Sequence, residues 1–169
     1  MKTRFSFRCI LLITLVLVAT AQAVAVAPEI KDEAKYFSAE AVKKANKAIR
    51  EIARKYERDL LIETVASPPG DEAQRVKRLS REEQSKYIRN WAIDRAEAAV
   101  VNGIYILVCK EPARIEIVIT PKAKAGFGKE PFEKLREELL KGFRDKHYDE
   151  ALDKTVVIVR DAFEQSKAR

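Results

Sequence analysis

The sequence predicts an α/β domain in which a small mixed sheet, with one parallel crossover and one antiparallel hairpin, is flanked by about four helices. Two apolar segments, residues 60–66 and residues 104–109, have the composition of strands. The long link between them carries a helical pattern, which favours a right-handed parallel crossover. Only residues 110–113 separate the second strand from a third, over residues 114–120, and so short a turn requires an antiparallel hairpin.

Four amphipathic helices are predicted by apolar residues that recur at intervals of three and four. Their apolar stripes are Val42, Ala45, Ile49, Ile52 and Tyr56; Tyr87, Ile88 and Trp91; Phe132, Leu135, Leu139 and Phe143; and Tyr148, Leu152, Val156, Val159 and Phe163. Ser80 and Glu83 have the spacing of a capping box at the start of the second helix. Residues 24–35 are expected to be a lead-in, and residues 121–129 a loop.

The N-terminal residues have the layout of a secretory signal peptide. An apolar run over residues 10–19 is followed by Ala21-Gln22-Ala23, which supplies the small residues of a cleavage site, and is preceded by the basic residues Lys2, Arg4 and Arg8. The alternative is a retained membrane anchor, but the run is shorter than the ~20 residues that span a bilayer. We therefore expect residues 1–23 to be a signal peptide, with cleavage after Ala25 as the alternative.

The remaining residues 24–169 are expected to form one exported domain, in the periplasm, outside the cell or in another extracytoplasmic compartment. Removal of the signal lowers the net charge from +7 to +4, because the signal holds three basic residues and no acidic ones. So small an excess predicts no nucleic-acid partner. Cys9 leaves with the signal, so Cys109 has no intramolecular partner and is expected to be a small buried side chain.

No arrangement of residues predicts a catalytic centre. His147 is the only histidine, and no second metal ligand or nucleophile lies at a diagnostic spacing from it. We therefore predict no catalytic residues, no metal ligands and a surface position for His147.

A basic loop lies between the hairpin and the third helix. It holds Gly126 and Gly128 together with Lys122, Lys124 and Lys129, but it lacks the Gly-Lys-Ser/Thr ending of a phosphate-binding loop. A basic loop at a helix N-terminus still favours anions, so the three lysines are candidates for loose anion binding.

The order of these motifs resembles the TPM-domain family, of which this chain looks like a divergent member. The resemblance runs from about residue 28 to residue 163. It is carried by Asp32 before the first helix, Trp91 in the second, Asn102-Gly103 before the buried strand, Arg114 in the hairpin return, and the aromatic join of Phe143 and Tyr148. The family motifs mark Asp32, Asn102 and Arg114 as a candidate functional cleft.

The resemblance implies extracytoplasmic, often membrane-anchored proteins, some linked to photosystem II repair and others to receptor accessory roles. It also implies weak acid phosphatase activity and calcium binding in some members. Because this chain has a lysine-rich loop where the family has an acidic residue, we predict no cofactor here, calcium included. The chain is expected to be an exported, non-catalytic module that binds a protein partner, and a membrane-associated protein is one candidate. The sequence does not predict its oligomeric state. The alternative is a weak acid phosphatase acting on phosphomonoesters.

Overall fold

The computed structural model describes residues 27–168, so the predicted signal peptide lies outside the described residues. The strands are β1 (Lys31–Asp32), β2 (Asp59–Val65), β3 (Gly103–Cys109) and β4 (Arg114–Ile119). The helices are α1 (Ala39–Tyr56), α2 (Glu72–Lys77), α3 (Arg81–Ala98), α4 (Pro121–Lys124), α5 (Lys129–Arg144) and α6 (Tyr148–Lys167).

The strands form one sheet in the order β1-β2-β3-β4. β1 pairs with β2, and β2 with β3, in parallel, whereas β3 and β4 are antiparallel. The crossover through α2 and α3 and the hairpin into β4 confirm the predicted mixed α/β sheet. The four long helices are the four expected from the apolar stripes.

Three short elements differ from the sequence-based expectation. β1 lies in the predicted lead-in, where Lys31 and Asp32 pair with Glu63 and Thr64, and a two-residue strand leaves no periodic pattern. α2 lies in the basic stretch before α3, and α4 lies in the predicted loop, where Pro121 begins a single helical turn.

Helices cover both faces of the sheet, which explains why β3 is buried along its whole length. One face packs against α1, α5 and α6, and the β3 side chains on this face are Ile104, Ile106 and Val108. The other packs against α3, and the β3 side chains there are Tyr105, Leu107 and Cys109. β4 continues this alternation, with Ile115, Ile117 and Ile119 on the first face and Val118 on the second, as predicted. Every residue of β4 stays partly exposed.

Helix boundaries agree with the sequence signals where capping groups are present. Ser80 Oγ accepts a hydrogen bond from Glu83 N, and the Glu83 carboxylate accepts one from Ser80 N, which confirms the capping box of α3. The buried residues of α3 are Ile88, Ala92 and Ala96, and Trp91 packs partly buried at the margin of that core. Among residues 27–168, no helix has both the length and the apolar character needed to cross a bilayer.

Candidate functional site

Asp32 ends β1, and its carboxylate organises the turn into α1. Its Oδ1 accepts a hydrogen bond from Tyr36 N at 3.0 Å, and its Oδ2 accepts one from Phe37 N at 2.9 Å. The Thr64 hydroxyl on β2 also donates to Oδ1. Both carboxylate oxygens therefore bond to groups of the chain itself, and they fix the path of the backbone between strand and helix.

These surroundings do not fit the calcium that the family resemblance implies. Calcium takes about six to eight oxygen ligands, several of them carboxylates. The groups that meet Asp32 are two backbone N–H donors and one hydroxyl that donates to it. Within residues 27–168, no three His, Cys, Asp or Glu side chains come together as a metal site.

Asn102 lies immediately before β3 and closes the connection from α3. Its backbone N–H donates to Asp59 Oδ2 at 2.8 Å, and its side-chain amide donates to the Glu57 carbonyl at 3.1 Å. The next residue, Gly103, pairs with Asp59, so Asn102 ties together the starts of β2 and β3.

The strand register places the three residues of the predicted cleft at two ends of the sheet. Asp32 pairs with Thr64, near the end of β2, and Arg114 pairs with Cys109, at the end of β3. Asp32 and Arg114 therefore share the carboxyl end of the parallel strands. Asn102 lies at the opposite end, so the structure does not bring it together with the other two.

Arg114 lines a cleft of about 580 Å³ at the open side of β4, between α3 and α5. The cleft, here termed the arginine cleft, is lined by four arginines: Arg89, Arg114, Arg136 and Arg144. Among residues 27–168, Glu116 is the only carboxylate that lines it. A second cavity of about 380 Å³ continues along β4 and shares Arg89, Glu116 and Arg136 with the first.

The charges of the arginine cleft are poorly balanced. Glu116 Oε2 lies 3.8 Å from Arg89 Nε, and burial raises the pKa of Glu116 although nearby arginines act against this. The Arg114 guanidinium donates to the carbonyls of Ala113 and Arg81, both at 3.2 Å, but its buried Nε has no partner among the described residues. Four arginines thus accompany one carboxylate, and the excess positive charge of the arginine cleft can attract an anionic group.

Neither Cys109 nor His147, the cysteine and the histidine of the described residues, has the surroundings of an activated catalytic side chain. Cys109 borders the arginine cleft but is only 2% exposed, and burial raises the pKa of its thiol to about 11. It is therefore protonated near neutral pH and behaves as the small buried side chain that was predicted. His147 is exposed before α6, with Nδ1 3.8 Å from Glu150 Oε2, as expected of a surface residue.

The three lysines proposed for anion binding do not share one pocket. Lys122 and Lys124 lie on α4, Lys129 begins α5, and all three are exposed. Lys124 lines the second cavity beside Arg136, whereas Lys122 borders a separate cavity near Phe163. Of the three, Lys124 adds positive charge next to the arginine cleft.

Sequence reasoning missed a buried ionic network in the centre of the sheet. Glu63 is 2% exposed, and its Oε1 accepts a hydrogen bond from Lys31 Nζ at 2.7 Å. Its Oε2 accepts bonds from Arg95 Nε at 2.7 Å and from the Tyr105 hydroxyl at 2.6 Å. A glutamate that follows three apolar residues in the strand was the available signal, because a buried carboxylate requires partners.

The model of the TPM domain matches residues 30–162, a range that contains all four strands and nearly all of the helices. This chain belongs to the TPM-domain family. The resemblance inferred from the order of the sequence motifs is thereby confirmed.

Two solved structures have the same fold as this TPM domain. One is the N-terminal domain of a protein from P. gingivalis, with a TM-score of 0.64 and 14% identity over 81% of this chain and 82% of that chain. The other is the N-terminal domain of a protein from Corynebacterium glutamicum, with a TM-score of 0.54 and 9% identity over 90% of this chain and 88% of that chain. No curated protein matches the sequence. At these identities the likeness establishes the fold of the TPM domain alone.

Proposed function

We propose that this TPM domain is an exported, non-catalytic accessory module that binds an acidic protein partner through the arginine cleft. The observation that carries the proposal is the concentration of four arginines around one carboxylate in a concave site. Arginine is enriched at protein interfaces, where its guanidinium can bind a carboxylate through two parallel hydrogen bonds.

The walls of the arginine cleft also offer apolar surface to such a partner. Arg136, Leu140 and Arg144 are four residues apart on α5, which puts them on one side of that helix. Leu140 is 37% exposed, and the aromatic side chains of Tyr36, Phe143 and Tyr148 line the same cleft. Interfaces commonly combine aromatic anchors with arginine in this way.

The proposed location rests on the N-terminal sequence pattern. A basic segment, a short apolar run and Ala21-Gln22-Ala23 together favour export. A membrane-associated partner is compatible with this location, because the family resemblance implies proteins that work at membrane faces.

Charge reversal in the cleft should abolish partner capture. We expect a tagged full chain that carries both Arg136→Glu and Arg144→Glu to recover at least about tenfold less partner from cross-linked extracytoplasmic fractions, because like charges then face the acidic segment. The matched control carries Lys43→Glu and Lys47→Glu, which reverse two exposed charges on α1. Recovery is quantified by mass spectrometry. Equal recovery from both double variants would contradict the proposal.

A weak acid phosphatase is the second candidate, and the excess of arginines in the cleft is what favours it. Phosphoryl transfer also needs a nucleophile or an activated water, and Cys109, with a pKa of about 11, does not supply the first. We therefore expect hydrolysis of a chromogenic phosphomonoester, with calcium, magnesium or chelator, to stay at the level of heat-killed protein. Turnover that is lost on Arg114→Ala but kept on Lys122→Ala would favour the phosphatase instead.

A further inference from the structure

The sheet has two edges, and they differ in length. β1 contains two residues, whereas β4 contains six, Arg114–Ile119. In the part of the chain that the structure describes, no strand pairs with the outer side of β4. A long uncovered edge presents unpaired N–H and C=O groups and is a site where an extended segment can add.

The register shows which backbone groups of β4 face outward. Thr120 N donates to the Gly103 carbonyl at 3.0 Å, so these two residues form a hydrogen-bonded pair of the antiparallel ladder. Hydrogen-bonded and non-hydrogen-bonded pairs alternate along such a ladder, so the backbone N–H and C=O groups of Glu116 and Val118 point toward β3. Those of Ile115, Ile117 and Ile119 point away from it, and within residues 27–168 they make no backbone hydrogen bond outside the sheet.

Two helices form walls on either side of this edge. α3 contributes Arg89 and Ile93, and α5 contributes Phe132, Arg136 and Leu140. Ile93 and Leu140 are each 37% exposed, so both walls offer exposed apolar surface, and the α3 wall has one arginine whereas the α5 wall has two, Arg136 and Arg144. The groove follows β4 for its whole length of about 20 Å, and an added strand would lie about 4.8 Å from it.

The charges around the groove select an acidic occupant. In the described part of the chain, four arginines and Lys124 line the two cavities, and Glu116 is the only carboxylate that does so. We infer that the partner inserts an extended segment of alternating acidic and apolar residues, which pairs with β4 as a fifth strand. This inference rests on the proposed function, because it specifies how the partner of the arginine cleft binds.

Amide hydrogen exchange followed by NMR tests the pairing directly. The probe is an acetylated and amidated peptide of alternating aspartate and valine, added to the full chain. We expect exchange at Ile115, Ile117 and Ile119 to slow by at least about tenfold on saturation, while Glu116 and Val118 are already protected. A peptide of alternating lysine and valine is the control and should give no protection. Binding of the acidic peptide without this alternating protection would overturn strand addition.

A backbone substitution separates edge pairing from side-chain packing. Ile117→Pro removes an outward-facing N–H without removing a bond to β3, whereas Ile117→Ala keeps that N–H and shortens the same side chain. We expect the proline variant to bind the acidic peptide at least about tenfold more weakly, and the alanine variant within about threefold of wild type. Equal affinities of the two variants would contradict the inference. If thermal melting shows that Ile117→Pro is unfolded, a peptide N-methylated on alternate amides takes its place: one methylation pattern should abolish binding and the other should not.

The outcomes also distinguish this inference from the proposed function. If Arg136→Glu with Arg144→Glu loses the partner but the acidic peptide gives no protection of β4, strand addition is overturned and the proposed function stands. If neither the partner nor the peptide depends on the arginine cleft, both are overturned. Protection that rises with the concentration of the chain alone would identify a second copy as the occupant and overturn the acidic partner. Slower exchange of the same β4 amides on addition of inorganic phosphate alone would overturn the acidic partner in favour of a phosphate site.

Discussion

Glu63→Ala is expected to lower the free energy of unfolding by about 3 kcal/mol, measured by urea denaturation near neutral pH. Breaking a buried ion pair by removing one partner typically costs about 3–5 kcal/mol, because the other partner stays buried and unpaired. Here Arg95 and Tyr105 lose their shared acceptor. The lower end of the range applies because the Arg95 side chain is 31% exposed and can regain water.

The stabilisation that Glu63 provides is expected to depend on pH. Burial alone would raise the pKa of Glu63, but hydrogen bonds from Arg95, Lys31 and Tyr105 outweigh it and hold the pKa below the ordinary 4.5. A carboxyl group with a lowered pKa adds stability that is complete above about pH 4.5 and is lost as the pH falls through its folded-state value. The gap in unfolding free energy between wild type and Glu63→Gln should therefore narrow below that pH.

Glu51→Ala is the control for Glu63, since Glu51 is an exposed residue on α1. Its removal should change the unfolding free energy by less than about 0.5 kcal/mol. A comparable loss in both variants, or a gap between wild type and Glu63→Gln that stays constant with pH, would show that the network does not stabilise the sheet.

Gly103→Ala is expected to cost more than about 3 kcal/mol or to prevent folding. A Cβ at this position would lie 1.9 Å from the carbonyl oxygen of Asp59 and 2.6 Å from its nitrogen, both on the backbone of β2. Because no side chain can rotate away, the two central strands would have to separate, and overpacking that moves backbone lies at the top of the usual range. The measurement is the midpoint of thermal unfolding together with the yield of folded protein.

Gly128→Ala provides the matched control for Gly103. Gly128 precedes α5 with φ of −76°, and a Cβ there would meet nothing within 4 Å. We expect its stability to change by less than about 1 kcal/mol. A Gly103→Ala protein as stable as this control would mean that β2 and β3 tolerate a wider spacing than the structure has.

The elements that sequence reasoning found are those with local periodic patterns. The apolar stripe of α6 continues before Thr155 and after Val159, so the β-branched run between them could be assigned to a helix and not to a strand. β1 could not be found in this way, because its two residues become a strand only through pairing with β2, which lies 32 residues further along the chain. Pairing over such a distance is decided by tertiary structure.

The candidate site likewise combines residues that a sequence motif identifies with residues that only tertiary packing brings together. Arg114 was identified through the family motif, but Arg89 and Arg136 come from α3 and α5 and belong to no motif that the sequence displays. Their meeting depends on where the helices pack against β4. The separation of Asn102 from Asp32 likewise follows from the strand register, which fixes the end of the sheet at which each residue lies.

The parallel pairing of β2 with β3 has a consequence for the time course of folding. Each residue of β2 is synthesised 44 residues before its partner in β3. In contrast, β3 finds β4 across a turn of four residues, and α5 is followed directly by α6. Long-range pairing is slow because a large loop must close first. The local contacts within the C-terminal half can therefore form before β2 pairs with β3. Until β3 is available, β2 lacks its strand partner, and an unpaired apolar strand exposes the nascent chain to aggregation at this segment.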